Sequence, residues 1–148
     1  MVNLRNRFSL LVAVLVICCG CGSKTEGPAT AAVTGEVTLD GVPVAGADVS
    51  FLPAADGANT VPAQAVTDDA GKFEVISVFD QGKTTKPGMT PGNYSVEVSL
   101  LQRAPAGEAF TAAPKNALPE KYASAATSGL QVTVDLDGEN HFPLKLTK

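Results

Sequence analysis

The chain has 148 residues, 45% apolar and 5% aromatic, with no Trp and a formal net charge of −4. That length fits one modest globular domain, and an acidic balance without a basic stripe excludes a nucleic-acid surface, which needs clustered Lys and Arg. The 14 Gly and 10 Pro fall mainly between apolar runs, which points to short elements joined by turns and so to an all-β domain.

The N-terminus has a different character. Arg5 and Arg7 precede an apolar run from Phe8 to Ile17, and small residues follow. That order is the pattern of an export signal. The run is shorter than the roughly 20 apolar residues of an ordinary membrane-crossing helix. Cys18, Cys19 and Cys21, the only cysteines, lie where it ends. Their spacings give no CxxC redox pair. A tetrahedral metal site would need further Cys or His, and the single histidine is the distant His141. Gly20-Cys21-Gly22 instead resembles the lipobox of bacterial lipoproteins, in which a small residue precedes the cysteine that takes a diacylglycerol. The resemblance implies a signal peptide over 1–20 and a lipid anchor on Cys21, with Cys19 as the second candidate. It also implies an exported protein of the cell envelope whose membrane partner is reached through that anchor. Gly22 rather than Asp after the anchor favours the outer membrane over the inner. Acyl chains bind a bilayer through about 0.8 kcal/mol per buried CH₂, and two or more hold stably. Residues 21–32, small, polar and aperiodic, read as a flexible tether.

From Val33 the period becomes two, and the domain is expected over 33–148. Val33, Gly35, Val37 and Leu39 alternate with polar residues, as in a half-buried strand. Asp40-Gly41 supplies a hairpin-type turn. Ala47, Val49 and Phe51 mark a second strand, and Ala63 to Thr67 a third whose face is ambiguous. Phe73 and Val75 mark a fourth, with alternation blurring at Ile76 to Val78. A loop is expected over 79–93. Tyr94, Val96, Val98 and Leu100 form the clearest strand, and 103–129 reads as a second long loop. Leu130 to Leu136 and Phe142 to Leu146 give two more strands, turned at Asp137-Gly138. Pro143 has no N–H, which suits an edge. Seven short strands in this length predict an all-β fold, a seven-stranded Greek-key β-sandwich.

Three blocks then resemble one family. "VTGEVTLDGVPVAGADVSF", "VTDDAGKFEV" and "TPGNYSVEVSL" follow the pattern of carboxypeptidase-regulatory-like, or transthyretin-like, domains. Gly35, Val37, Asp40, Gly41, Pro43, Gly46, Ala47 and Val49 match the first block. Thr67, Asp68, Gly71 and Phe73 match the second, and Pro91, Gly92, Tyr94 and Val96 the third. The resemblance implies a prealbumin-like sandwich and no particular activity, because fold alone does not fix function.

Chemistry-bearing residues are sparse. One histidine does not make a zinc peptidase site, and His141 falls on the outward phase of the last strand. The related hydroxyisourate hydrolases carry several histidines and end in Tyr-Arg-Gly-Ser, whereas this chain ends LKLTK. No G-x-S-x-G occurs. Asp68-Asp69 and Asp135/Asp137 sit beside Gly at strand ends, where Asp bonds local backbone in turns. Asp135 to Asn140 has a faint likeness to a calcium loop, with its Gly misplaced for an EF-hand. The expectation is therefore no catalytic residue, no metal and no cofactor. Lys83 and Lys86 in one loop, and Arg103, Lys121 and Tyr122 in the other, are the candidate rim for an envelope protein, peptide or glycan. The competing reading has Leu118 and Tyr122 packing over an open end of the sandwich, with a helical turn starting at Pro119. A non-catalytic structural, adhesive or interaction-mediating module is the leading expectation. A glycan- or peptide-binding protein and an enzyme of unrecognised type are the alternatives.

Overall fold

A computed structural model describes residues 27–54, 60–102 and 114–148. The alternating runs become strands because each has one apolar face to bury and another that water can hold. They fall on β1 (Val33–Leu39), β3 (Asp48–Pro53), β4 (Ala63–Val66), β5 (Lys72–Glu74), β8 (Gly92–Ser99), β11 (Leu130–Val134) and β12 (Asn140–Leu146). Shorter or more polar pieces add β2 (Val42–Pro43), β6 (Ile76–Phe79), β7 (Thr84–Pro87), β9 (Leu101–Gln102) and β10 (Lys115–Asn116). The two main sheets have the orders β12-β1-β2, with β5 also paired to β1, and β11-β8-β3-β4-β6-β7; β9 and β10 pair with each other outside them. The pairing is antiparallel throughout except between β1 and β12, which run parallel from Val33 opposite Asn140 to Leu39 opposite Leu146.

The two sheets share one core. Val33 and Val37 of the first sheet and Val49, Phe51, Val96 and Val98 of the second are nearly or wholly removed from solvent. Phe51 and Phe73 meet across the layers with ring centroids 6.0 Å apart, in a tilted arrangement that suits the ring quadrupoles. Gly35 lies buried between its strand neighbours Phe73 and Phe142. A Cβ there would collide with the Phe73 ring and the Phe142 carbonyl.

Several ambiguities of the sequence now have physical causes. Alternation blurs after Val75 because the chain changes sheets there. Val75 donates to Val33 of β1 at 3.0 Å and accepts from Gly88 at 2.8 Å, and the next residues pair with β4. The third strand points Ala63, Ala65 and Thr67 inward and leaves Val66 exposed. Among the described residues β12 pairs only with β1, so Pro143 stands on a sheet edge, where its missing N–H leaves no bond unmade. β7 escaped notice because its sequence, Thr-Thr-Lys-Pro, offers no apolar face; backbone pairing with β6 makes it a strand. At Asp40-Gly41 both residues have positive φ, 49° and 83°, the conformation a two-residue hairpin loop requires.

The registers define two ends of the sandwich. β1, β8 and β12 begin at one end, where β11 finishes; Ala31, just before β1, lies there too, paired with Met89. The Asp40-Gly41 turn, Leu100 and the C-terminal Lys148 mark the other.

Candidate functional site

The residues shared with the three sequence blocks hold the frame. Thr67 is buried; its hydroxyl donates to the Val44 carbonyl at 2.7 Å and accepts from Ala47 N–H at 2.8 Å. It thereby pins the β2–β3 connection to the end of β4. Asp68 Oδ1 accepts from Ala70 and Lys72 N–H at 2.9 and 2.8 Å, closing a turn as Asp does. Gly71 completes that turn with φ +74°, and a Cβ there would come within 2.7 Å of the Val37 carbonyl.

Tyr94 forms a closed relay. Its hydroxyl donates to the Thr90 carbonyl at 2.8 Å and lies 2.6 Å from Thr90 Oγ1, which accepts from Val61 N–H at 3.3 Å. This is a tyrosine corner, a strand-start Tyr bonding backbone a few residues upstream. Burial pushes the Tyr94 phenol above its ordinary value, against the opposing pull of the Thr90 and Val61 bonds.

The candidate rim residues do not come together. Lys83 is exposed at the tip joining β6 and β7, after a 3₁₀ turn at Asp80–Gly82. Lys86, on β7, is half-buried and donates to the Pro28 carbonyl at 3.0 Å. Both belong to the strap end, so called because residues 27–32 lie there as a strap against the domain, through Pro28 and Ala31. Lys121 and Tyr122 belong to the opposite end, in a 3₁₀ turn at Glu120–Ala123 that follows Pro119. Tyr122 is 5% exposed, and Leu118 is buried beside it in the core cluster. The Tyr122 hydroxyl accepts from Thr147 N–H at 2.9 Å and faces the Thr147 carbonyl at 3.3 Å. These Thr147 bonds, with Lys121 assisting, draw its phenol below the ordinary value. Lys121 Nζ stands 4.9 Å from the Tyr122 ring centroid, a cation–π contact. Arg103, Cys19 and Cys21 lie outside the described residues.

The same end of the sandwich opens to solvent. An aliphatic groove of ≈ 390 Å³ is walled by Leu39, Val42, Pro43, Val44, Leu100 and Leu118, with Asp40 and Lys148 at its rim. Val42 is 65% exposed. Asn116 ties two walls together, because its Oδ1 accepts from Leu100 N–H at 2.8 Å and Leu118 N–H at 3.2 Å. Those two donors fix the amide's orientation and leave Nδ2 buried, with no hydrogen-bond partner among the described residues. Sequence reading missed this groove. The available signal was Val42-Pro43-Val44, where three successive apolar residues break the alternation just after a hairpin turn.

A second, open cleft of ≈ 420 Å³ is lined in part by Thr34, Asp68, Lys72, Glu74 and His141. The β1–β12 register places His141 beside Thr34, with Nδ1 3.1 Å from Thr34 Oγ1. The contact joins a hydroxyl to an imidazole, as nucleophilic catalysis would require, but it lies on an exposed sheet face. No hydrogen bond from a third side chain to the ring is seen among the described residues. Asp68 is engaged in its own turn. At the Asp135–Asn140 corner, Asn140 Nδ2 occupies the Asp135 and Gly138 carbonyls at 2.8 and 3.1 Å. Among the described residues no group of three or more His, Cys, Asp or Glu side chains could hold a metal ion.

No family model, no curated protein and no solved structure matches the chain.

Proposed function

We propose that the protein is a lipid-anchored, non-catalytic module of the bacterial cell envelope that acts by contact with a partner. In this reading its core is a seven-stranded Greek-key sandwich of the carboxypeptidase-regulatory-like type, built on β1, β3, β4, β5, β8, β11 and β12. The observation that carries it is the division between frame and groove. Thr67, Asp68, Gly71 and Tyr94 spend their polar groups and backbone freedom on turns and corners. The groove at the Asp40-Gly41 end exposes aliphatic surface with one charge of each sign at its rim. Such a concavity fits an apolar peptide segment better than it fits a reacting small molecule, which needs several convergent polar groups. The export signal and Cys21 supply the address, with the outer membrane as the preferred destination.

Intact mass of protein extracted from membranes tests the anchor. The expected product begins at Cys21 and carries acyl groups. A chain that retains 1–20, or a soluble product cut elsewhere, refutes it. Turnover by the purified protein that disappears in His141→Ala would refute the non-catalytic reading.

The groove and rim also favour a narrower reading, that of a peptide-binding protein. Lys121 and Lys148 both lie at the groove end, whereas Lys83 and Lys86 lie at the other, so this reading takes its rim from the groove end alone. Lys121→Ala separates the two versions: it weakens capture of a peptide ligand if this end binds, and leaves it unchanged if the strap end does.

A further inference from the structure

The segment that would join Cys21 to the domain is shorter than its composition implies. Ala31 and Met89 exchange both backbone hydrogen bonds, each 2.8 Å long. Ala31 is buried, and Met89 is wholly so. Gly88 beside them has φ +85°, and a Cβ there would strike the Ala31 carbonyl. Its own carbonyl accepts from the buried Ser77 hydroxyl at 2.8 Å, which holds the crossing in place. Lys86 Nζ grips the Pro28 carbonyl three residues further out. Residues 27–32 therefore form a strap against the domain. Between Cys21 and Gly27 remain six residue steps, which span at most about 20 Å.

We propose that on the lipid-anchored chain this strap fixes the orientation of the sandwich on the bilayer. The strap end lies within about 20 Å of the headgroups. The Asp40-Gly41 end, with the aliphatic groove, faces away from the bilayer. β1 runs from one end to the other over seven residues, so the two ends are roughly 20 Å apart along the strand, which is their difference in height when β1 stands along the bilayer normal. The strap end is no cationic lipid dock: among its described residues Asp80, Asp135, Asp137 and Glu139 accompany Lys83 and Lys86. Its distance is set by the leash rather than by attraction to anionic lipid. The inference rests on the lipid-anchor reading above.

The test uses the native acylated full chain in phosphatidylcholine vesicles that carry a nitroxide headgroup quencher. With 1–20 removed and Cys21 acylated, a dye attaches only to an introduced thiol, either Lys83→Cys or Val42→Cys. Quenching is expected to be about twofold or more stronger at position 83, given the difference in height. A Gly/Ser insertion of about ten residues between Glu26 and Gly27 should reduce that difference by lengthening the leash. Equal quenching at the two positions on acylated, vesicle-bound protein overturns the orientation, and so does a difference that the insertion leaves intact. Protein whose intact mass carries no acyl group, and which stays off vesicles, overturns the anchor reading instead, and the orientation with it. Amide exchange supplies an independent check of the strap. Ala31 and Met89 should exchange as slowly as the paired amides of β1, and fast exchange at Ala31 refutes the docked strap.

Discussion

The two ends of the sandwich use their residues differently. At the strap end the polar groups close on one another: Ala31 on Met89, Ser77 on Gly88, Tyr94 on Thr90, Asn140 on the Asp135 corner. At the groove end Thr67 and Tyr122 are also satisfied, by Val44 and Ala47 and by Thr147, but the Asn116 amide is half-used and aliphatic side chains stand open to water. Buried polar groups that find partners rigidify a structure, whereas exposed apolar concavity is maintained at a cost and commonly marks recognition. The contrast is between an end whose polar groups close on one another and an end that keeps open aliphatic surface beside its own frame bonds. Substitutions at the two ends should therefore differ in kind as well as size.

The largest effect is expected from Gly88→Val. The substitution forces a β-branched residue to φ +85° and drives its Cβ into the Ala31 carbonyl. A loss on the order of 3 kcal/mol or more is expected, because strain and overlap add. Denaturant unfolding measures it, and a midpoint close to that of the parent chain would show that the strap does not cross at this glycine. Next comes Tyr94→Phe. It leaves the Thr90 carbonyl and the Thr90 hydroxyl without their phenol partner. About 1–3 kcal/mol should be lost in the same measurement.

The chain has two Tyr and no Trp, so alkaline titration reports both ends with little interference. Tyr122, lowered by its Thr147 bonds, should ionise before Tyr94, raised by burial. Phenolate absorbance should rise in two steps on either side of the ordinary value of about 10. The stability consequences have opposite signs. Where the folded value is raised, the unfolded chain loses its proton first, so the Tyr94 contribution holds below pH about 10 and is lost as pH rises through the folded value. Where it is lowered, the folded chain loses its proton first, so stability linked to Tyr122 grows as pH rises from the folded value towards about 10. Tyr122→Phe should abolish the earlier step and Tyr94→Phe the later one. A single step at the ordinary value would contradict both environments.

How much of this was legible depends on what the sequence has to encode. Strands with one wet face and one dry face advertise themselves, and Val33 to Leu39 and Tyr94 to Leu100 were readable residue by residue. The Asp40-Gly41 hairpin was readable because few other residue pairs tolerate two positive φ values. The packing of Leu118 and Tyr122 over an open end could be anticipated from an apolar pair flanking Pro119-Glu120-Lys121. β7 was not readable, since Thr84–Pro87 carries no hydrophobic signal and exists through backbone pairing alone. The pairing of Thr34 with His141 was hidden for another reason. It depends on the first and last strands lying side by side and parallel, a long-range fact that local periodicity does not contain. The separation of Lys83 and Lys86 from Lys121 is of the same kind: loop residues look equivalent in sequence until the registers assign them to ends.

The smallest effect on stability should accompany the clearest effect on recognition. Val42 is 65% exposed on the groove wall, so Val42→Asp should change unfolding free energy by no more than about 0.5 kcal/mol. Inside the groove, however, the new carboxylate would face any apolar occupant and lose its water when one binds. An environment-sensitive naphthalene-sulfonate dye gives a direct reading of that surface. Its affinity should fall about tenfold in Val42→Asp, since desolvating an unpaired charge readily costs the roughly 1.4 kcal/mol that a factor of ten represents. Val66→Asp is the matched control. Val66 is 62% exposed and lines the open cleft beside His141 rather than this groove. Dye affinity should be unchanged there. Equal losses in the two variants would mean that the dye responds to net charge rather than to the groove. A loss in Val42→Asp alone, with unfolding unchanged, would assign binding to the Asp40-Gly41 end while the frame of Thr67, Gly88 and Tyr94 stays intact.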